Sequence, residues 1–229
     1  MTRRAVIVRG GWDGHDPVGT TDEFVPFLRE EGFDVRIETS PEVYASLAES
    51  GPVDLIVQCV TMSEISADAA RGLRDAVAAG AGLVGWHGGI ADSFRASSDY
   101  LQLIGGQFAA HPHPEPDGAS AMRRYTVELT DAGRAHPITA GLDDFELTTE
   151  QYWVLHDDAI DVLATTTHEA PDWQLWHRPV TSPAVWTRLW GRGRIAVVTP
   201  GHDLATVRDQ NVHTIIERSM LWASRTASA

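Results

Sequence analysis

The chain has one cysteine, Cys59, among 229 residues, which excludes an internal disulfide framework and a cysteine-rich zinc site. Cys59 lies in the apolar run Leu55-Ile56-Val57-Gln58-Cys59-Val60, where a free thiol behaves as a small buried hydrophobe rather than a nucleophile. No stretch approaches the ~20 apolar residues of a membrane helix. Met1-Thr2-Arg3-Arg4 leads into a strand-like segment rather than a signal-peptide core. Basic residues are also scarce: 18 Lys and Arg stand against 32 Asp and Glu, a formal net charge of -14. No cationic surplus exists to neutralise phosphates or to hold an anionic membrane surface, so nucleic acid and membranes are excluded as partners. The expected setting is reducing and cytoplasmic. With 43% hydrophobic residues and no low-complexity tract, the expected organisation is one globular domain over 1–229.

The first half alternates short apolar runs with helical patterns. Ala5 to Val8, Phe33 to Ile37, Val53 to Val60 and Ala81 to Gly85 read as strands. Between them, Thr21 and Asp22 offer caps to a helix carrying Phe24, Phe27 and Leu28. A second helix runs through Val43, Leu47 and Ala48, and a third starts after Ser66 and ends at Gly80. Such alternation means βαβ units around a parallel sheet. In the second half, Arg124 to Leu129 and Ile160 to Thr167 read as strands. Ser182 to Leu189 and Arg194 to Thr199 flank the hairpin turn Trp190-Gly191-Arg192-Gly193. A final helix over about 211–223 buries Val212, Ile215, Ile216 and Met220. The Pro- and His-rich stretch 110–117 is a loop.

Ligands of open parallel sheets bind beyond the carboxyl ends of the strands. Three glycine-rich turns fall there, and each brings a histidine: Gly10-Gly11-Trp12-Asp13-Gly14-His15, Gly85-Trp86-His87-Gly88-Gly89, and Pro200-Gly201-His202-Asp203. At the second turn, flanking glycines let the backbone take a strained strand-to-helix corner that lifts His87 clear of the sheet. Histidine there suits acid/base work or metal ligation. We expect His87, His202 and Glu150 as catalytic residues. Trp12, Asp13, His15, Trp86, Gly88, Tyr152 and Asp203 are expected to contact substrate. A divalent metal on His15, His87 and His202 is the alternative use of the same side chains. His111 and His113 are a poor chelating pair in a Pro-rich loop. His136 is read as structural, and His156, His168, His177 and His213 as surface residues. Of the tryptophans, only Trp12 and Trp86 are expected to face a ligand; the cluster around Trp190 suits a homo-oligomer contact.

Together, the turn ending in His15, the Gly-x-His-Gly-Gly corner, Ala135-His136-Pro137-Ile138 before Gly141-Leu142, Glu150-Gln151-Tyr152, and Gly191-Arg192-Gly193-Arg194 running into Pro200-Gly201-His202 resemble the ThuA-like (trehalose-utilisation) family. The closing Leu221-Trp222-Ala223 fits too, so the resemblance spans nearly the whole chain. It implies a class I glutamine amidotransferase-like, flavodoxin-like α/β fold: a three-layer sandwich with a mostly parallel central sheet and an added antiparallel hairpin. True amidotransferases carry their cysteine at the corner. Here His87 takes that place and His202-Asp203 resembles the late His and its acidic partner, so no thioester can form and glutaminase activity is excluded. Some members have a second histidine three residues on, where this chain has Ile90. The family's association with sugar catabolism implies a small carbohydrate or keto-sugar as substrate. Isomerisation, elimination or hydrolysis by histidine acid/base chemistry is the leading expectation, and a metal-dependent hydrolase or a non-catalytic sugar-binding domain the alternatives.

Overall fold

The computed structural model describes residues 2–112, 121–172 and 175–224. Eleven strands are β1 (Arg3–Gly11), β2 (Phe33–Glu38), β3 (Leu55–Thr61), β4 (Gly82–Trp86), β5 (Gly106–Ala110), β6 (Met122–Leu129), β7 (Phe145–Glu150), β8 (Trp153–His156), β9 (Asp161–His168), β10 (Val180–Trp190) and β11 (Gly193–Val198). The α-helices are α1 (Pro17–Asp22), α2 (Val25–Glu30), α3 (Ala67–Ala78), α4 (Gly88–Ala91), α5 (Ser98–Ile104), α6 (Asp131–Ala135), α7 (Leu204–Val207) and α8 (Gln210–Ala223).

Nine strands form one sheet in the order β2-β1-β3-β4-β11-β10-β9-β6-β7, and β5 pairs with β8 separately. The pairings from β2 to β11 are parallel and those from β11 to β7 antiparallel. Only β10 and β6 therefore run against the rest. β1, β4, β11 and β7 all point their carboxyl ends to the same edge.

Residues on alternate faces of each inner strand enter different cores, as a sheet covered on both sides requires. Ala5, Ile7, Val57 and Cys59 pack with Phe24, Leu28, Ile216 and Met220 on one side. Val6, Val8, Ile56 and Val60 pack with Leu47, Leu73, Val77 and Leu103 on the other. The hairpin expected around Gly191 is present as β10–β11, but the antiparallel wing extends well beyond it.

That wing explains how a distant strand reaches the centre. β7 lies five places from β4, about 24 Å in a flat sheet with neighbours ~4.8 Å apart, yet side chains from their ends touch. β6 joins β9 through two residue pairs only, Glu128↔Thr165 and Leu129↔Ala164. β10 carries register shifts between Pro183 and Trp186. The β6–β7 ribbon is thus free to curl over the carboxyl edge.

Two local readings need correction. The first helix starts at Pro17 rather than after Thr21 or Asp22: Asp16 Oδ1 accepts from Gly19 N at 2.9 Å, and proline fits the first helical turn. The segment Pro41–Ser50 is a 3-10 helix rather than an α-helix, with Tyr44 and Leu47 buried three residues apart, the eclipsed spacing of that helix type.

Candidate functional site

His87 follows β4 with φ 48° and ψ -140°. The strain of the corner therefore sits on the histidine itself. Gly85, Gly88 and Gly89 are not in the left-handed region; they supply room. A Cβ on Gly88 would fall 2.6 Å from His15 Cε1 and 2.7 Å from its Nδ1, so glycine is what admits the His15 ring against the corner. His87 N donates to Val198 O at 2.7 Å, and its carbonyl accepts from Ala91 N at 2.9 Å as α4 begins.

Three imidazoles and one carboxylate converge there. Glu150 Oε2 lies 3.1 Å from His87 Nε2, 3.1 Å from His202 Nδ1 and 3.9 Å from His15 Nε2. The four donor atoms lie within 4.8 Å of one another. The ring centroids of His15 and His87 are 4.6 Å apart, and those of His15 and His202 5.1 Å. His15 ends a 3-10 turn after β1, His202 follows β11, and Glu150 closes β7. The carboxyl-edge rule thus assembles the site from residues scattered across the chain.

The hydrogen bonds determine which atoms are left for a ligand. His87 Nδ1 lies 2.8 Å from the Thr199 carbonyl, which can only accept, so Nδ1 carries the proton. Burial pushes the His87 pKa down to about 4, with the Glu150 hydrogen bond opposing. The ring is therefore neutral at pH 7, and Nε2 presents a lone pair to a carboxylate oxygen. His111 repeats the pattern from the cleft's outer side, with Nδ1 3.2 Å from Gln151 O and Nε2 3.5 Å from Glu150 Oε2. Burial alone would raise the Glu150 carboxyl, but His15, His202 and His87 outweigh it and hold it far below the ordinary range. Glu150 in turn raises His202. His202 Nδ1 is nonetheless buried without a hydrogen bond of acceptable angle, so the 3.1 Å approach is an ion-pair contact. A carboxylate oxygen facing the His87 lone pair calls for a cation between them. The set of three nitrogens and one oxygen suits zinc or a similar borderline divalent ion, with Thr199 O behind His87 and Thr61 Oγ1, 3.1 Å from His15 Nδ1, as the outer supports.

Trp12 lies beside this cluster, 48% exposed. Its ring rests over Gly14, where an added Cβ would fall 2.3 Å from it, and meets His15 edge-on at 4.7 Å. Tyr152 is buried and packs on His87 at 4.2 Å between centroids; burial holds its phenol well above the usual pKa, so it stays protonated. Asp13 is exposed in the turn, outside the four-donor cluster.

Other sequence expectations fail here. Trp86 does not face the cleft: it is 1% exposed and packs against Phe24 at 5.3 Å, because successive strand residues point to opposite faces. Gly88 makes space for His15 as described. Asp203 caps α7, its Oδ1 accepting from Thr206 N and Oγ1 at 2.8 Å each, and its charge adds to that of Glu150 in raising His202. His168 is not a surface residue; it is 2% exposed, stacked on Trp153, with Nε2 3.1 Å from Ser182 Oγ. His213 is half-buried against Phe24, while His156 and His177 are exposed as read. His111 belongs at the site after all; His113 lies outside the described residues. Cys59 is buried, and burial pushes its thiol up to about 12.

Fold and site together define an α/β protein with a three-histidine, one-glutamate centre at the carboxyl edge of its sheet. The chain belongs to the ThuA family, whose model, described as trehalose utilisation, matches residues 4–223. Among solved structures it is similar to ThuA-like proteins from Parabacteroides merdae (TM-score 0.71, 17% identity, covering 100% of this chain and 93% of that one) and Bacteroides uniformis (0.70, 18%, 96% and 91%). It is also similar to a cytoplasmic protein from Salmonella typhimurium LT2 (0.63, 13%, 97% and 100%). At these identities the structural likeness speaks for the fold alone. No curated protein matches the sequence.

Proposed function

We propose that the chain is a cytoplasmic carbohydrate-processing enzyme whose centre holds a divalent cation on His15, His87, His202 and Glu150. One observation carries this: His87 Nε2, its tautomer set by the Thr199 carbonyl, turns a lone pair toward Glu150 at 3.1 Å. Such a cation, when bound, supplies Lewis-acid polarisation of a sugar carbonyl or hydroxyl. The family's link to trehalose utilisation supports a sugar or keto-sugar substrate. The two apolar cores flanking the sheet support the flavodoxin-like, three-layer reading as a single domain.

The remaining residues have defined tasks. Trp12 offers one exposed ring face against which the apolar face of a sugar packs. His111, half-exposed and with Nε2 turned inward, moves a proton between a bound substrate and solvent. Tyr152 keeps the His87 ring in place and excludes water behind it. Cys59 is buried with its thiol raised and the 18 basic residues include no lysine, which supports chemistry other than a thioester or a lysine imine and argues against glutaminase activity.

A second reading has its own support. Glu150 holds His202 toward the charged form, so the pair, with His87, could act as acid and base without a metal at a carbon beside a sugar carbonyl. Metal analysis of the purified protein separates the two. About one equivalent of divalent metal is expected in the wild type, with affinity reduced tenfold or more in Glu150→Gln. Undiminished turnover of keto-glycosides by metal-free protein would leave only the second reading.

A further inference from the structure

The rim of the cleft carries a cation that the proposed chemistry leaves unused. Asp92 ends α4, is 4% exposed, and its carbonyl accepts from Met62 N at 2.9 Å. Arg95 grips this buried carboxylate on both oxygens, with Nη2 2.7 Å from Oδ2 and Nε against Oδ1. A guanidinium has five N–H donors, so three remain, and the Arg95 side chain is 51% exposed. Its Cζ lies 5.7 Å over the Phe108 ring. Phe108 packs on Tyr152 at 4.4 Å and on His111 at 4.9 Å, and Tyr152 on His87 at 4.2 Å. An unbroken aromatic wall therefore runs from the donor cluster to this arginine.

Ordinary surface ion pairs join two mobile side chains. Here one partner is fixed in the interior, so the guanidinium is held in one orientation beside Phe108 while half of the side chain stays exposed. A planar fork of that kind suits bidentate recognition of an oxyanion.

We propose that Arg95 is an anion subsite, and that the substrate is a sugar bearing a carboxylate or phosphate group. This rests on the carbohydrate reading of the His/Glu centre. Calorimetric titration of the full chain with glucose, gluconate and glucose 6-phosphate tests it, with metal content measured on the same samples. The wild type is expected to bind one of the anions at least tenfold more tightly than glucose, and the preferred one identifies carboxylate or phosphate as the source. Arg95→Met should abolish the preference, Arg95→Lys should retain part of it, and added salt should weaken it. Because Arg95→Met strands a buried carboxylate, Asp92→Asn/Arg95→Met serves as the folded control and should lose the preference equally. Glucose bound as well as either anion, or a preference that survives both methionine variants, overturns the proposal and leaves the centre untouched. A metal-loaded wild type that binds none of the three sugars overturns the carbohydrate reading of the centre, and the subsite with it.

Discussion

His87 has one nitrogen committed to a carbonyl and the other aimed at a carboxylate, and the behaviour of the centre follows from that. In chelator-treated protein its ring should stay neutral until about pH 4, and an NMR titration of its Cε1 proton reads this directly. The sign is fixed by linkage: the folded pKa lies below the unfolded 6.5, so the unfolded chain binds the proton more readily. The His87 contribution to stability is present above about pH 6.5 and is lost as pH falls toward 4. His202, raised by Glu150, works oppositely: its contribution is full below the unfolded pKa and fades as pH rises through the folded one. An ordinary histidine midpoint for His87 would contradict the burial argument. Gly88→Ala makes a steric counterpart. Its methyl would meet the His15 ring, so we expect a loss of about 1–3 kcal/mol by denaturant titration together with weakened metal binding. At this scale the three core histidines were legible because each follows a strand in a glycine-rich turn. Glu150 was singled out in the sequence, but its place between the three histidines was not, since that depends on the curl of a ribbon. His111 was masked by its Pro-rich neighbourhood, and Trp86 was misread because a residue beside a site in sequence faces away from it in a strand.

Asp203 separates a capping role from a role in the site. As the N-cap of α7, its replacement by alanine should cost about 1 kcal/mol while leaving the metal content unchanged. Loss of metal in Asp203→Ala would instead return it to the centre. The βαβ half of the fold could be read from alternation alone because its strands are buried on both faces and its helices have clear stops. The antiparallel wing was less legible. Phe145-Glu146-Leu147-Thr148-Thr149-Glu150 alternates as a strand should, yet nothing local to it specifies pairing with β6 or the turn toward β4. Similarly, the 3-10 segment at Pro41–Ser50 shares its apolar content with an α-helix; what differs is a three-residue burial spacing that only the packed neighbours reveal.

The molecule as a whole does not depend on its centre for a core, since both apolar clusters are complete without the four donors. Metal removal should therefore lower the thermal midpoint without abolishing a cooperative transition. A ligand at a hundred times its Kd contributes about 2.7 kcal/mol, and differential scanning calorimetry with and without chelator checks it. No helix among the described residues is long and apolar enough to cross a membrane. The homo-oligomer remains our proposal. Leu155 and Leu189, 60% and 67% exposed, are available for such a contact, and light scattering showing only monomer would end it.

The curled β6–β7 ribbon also bears on how the protein is made. The four donors come from positions 15, 87, 150 and 202, and the third is delivered by an element that must fold back over strands formed both before and after it. A ribosome-bound nascent chain carries the first two histidines long before the ribbon and the last turn exist. On the proposed metal reading, acquisition of the ion would be a late event in biogenesis, and a bound ion would mark a polypeptide whose topology is already closed.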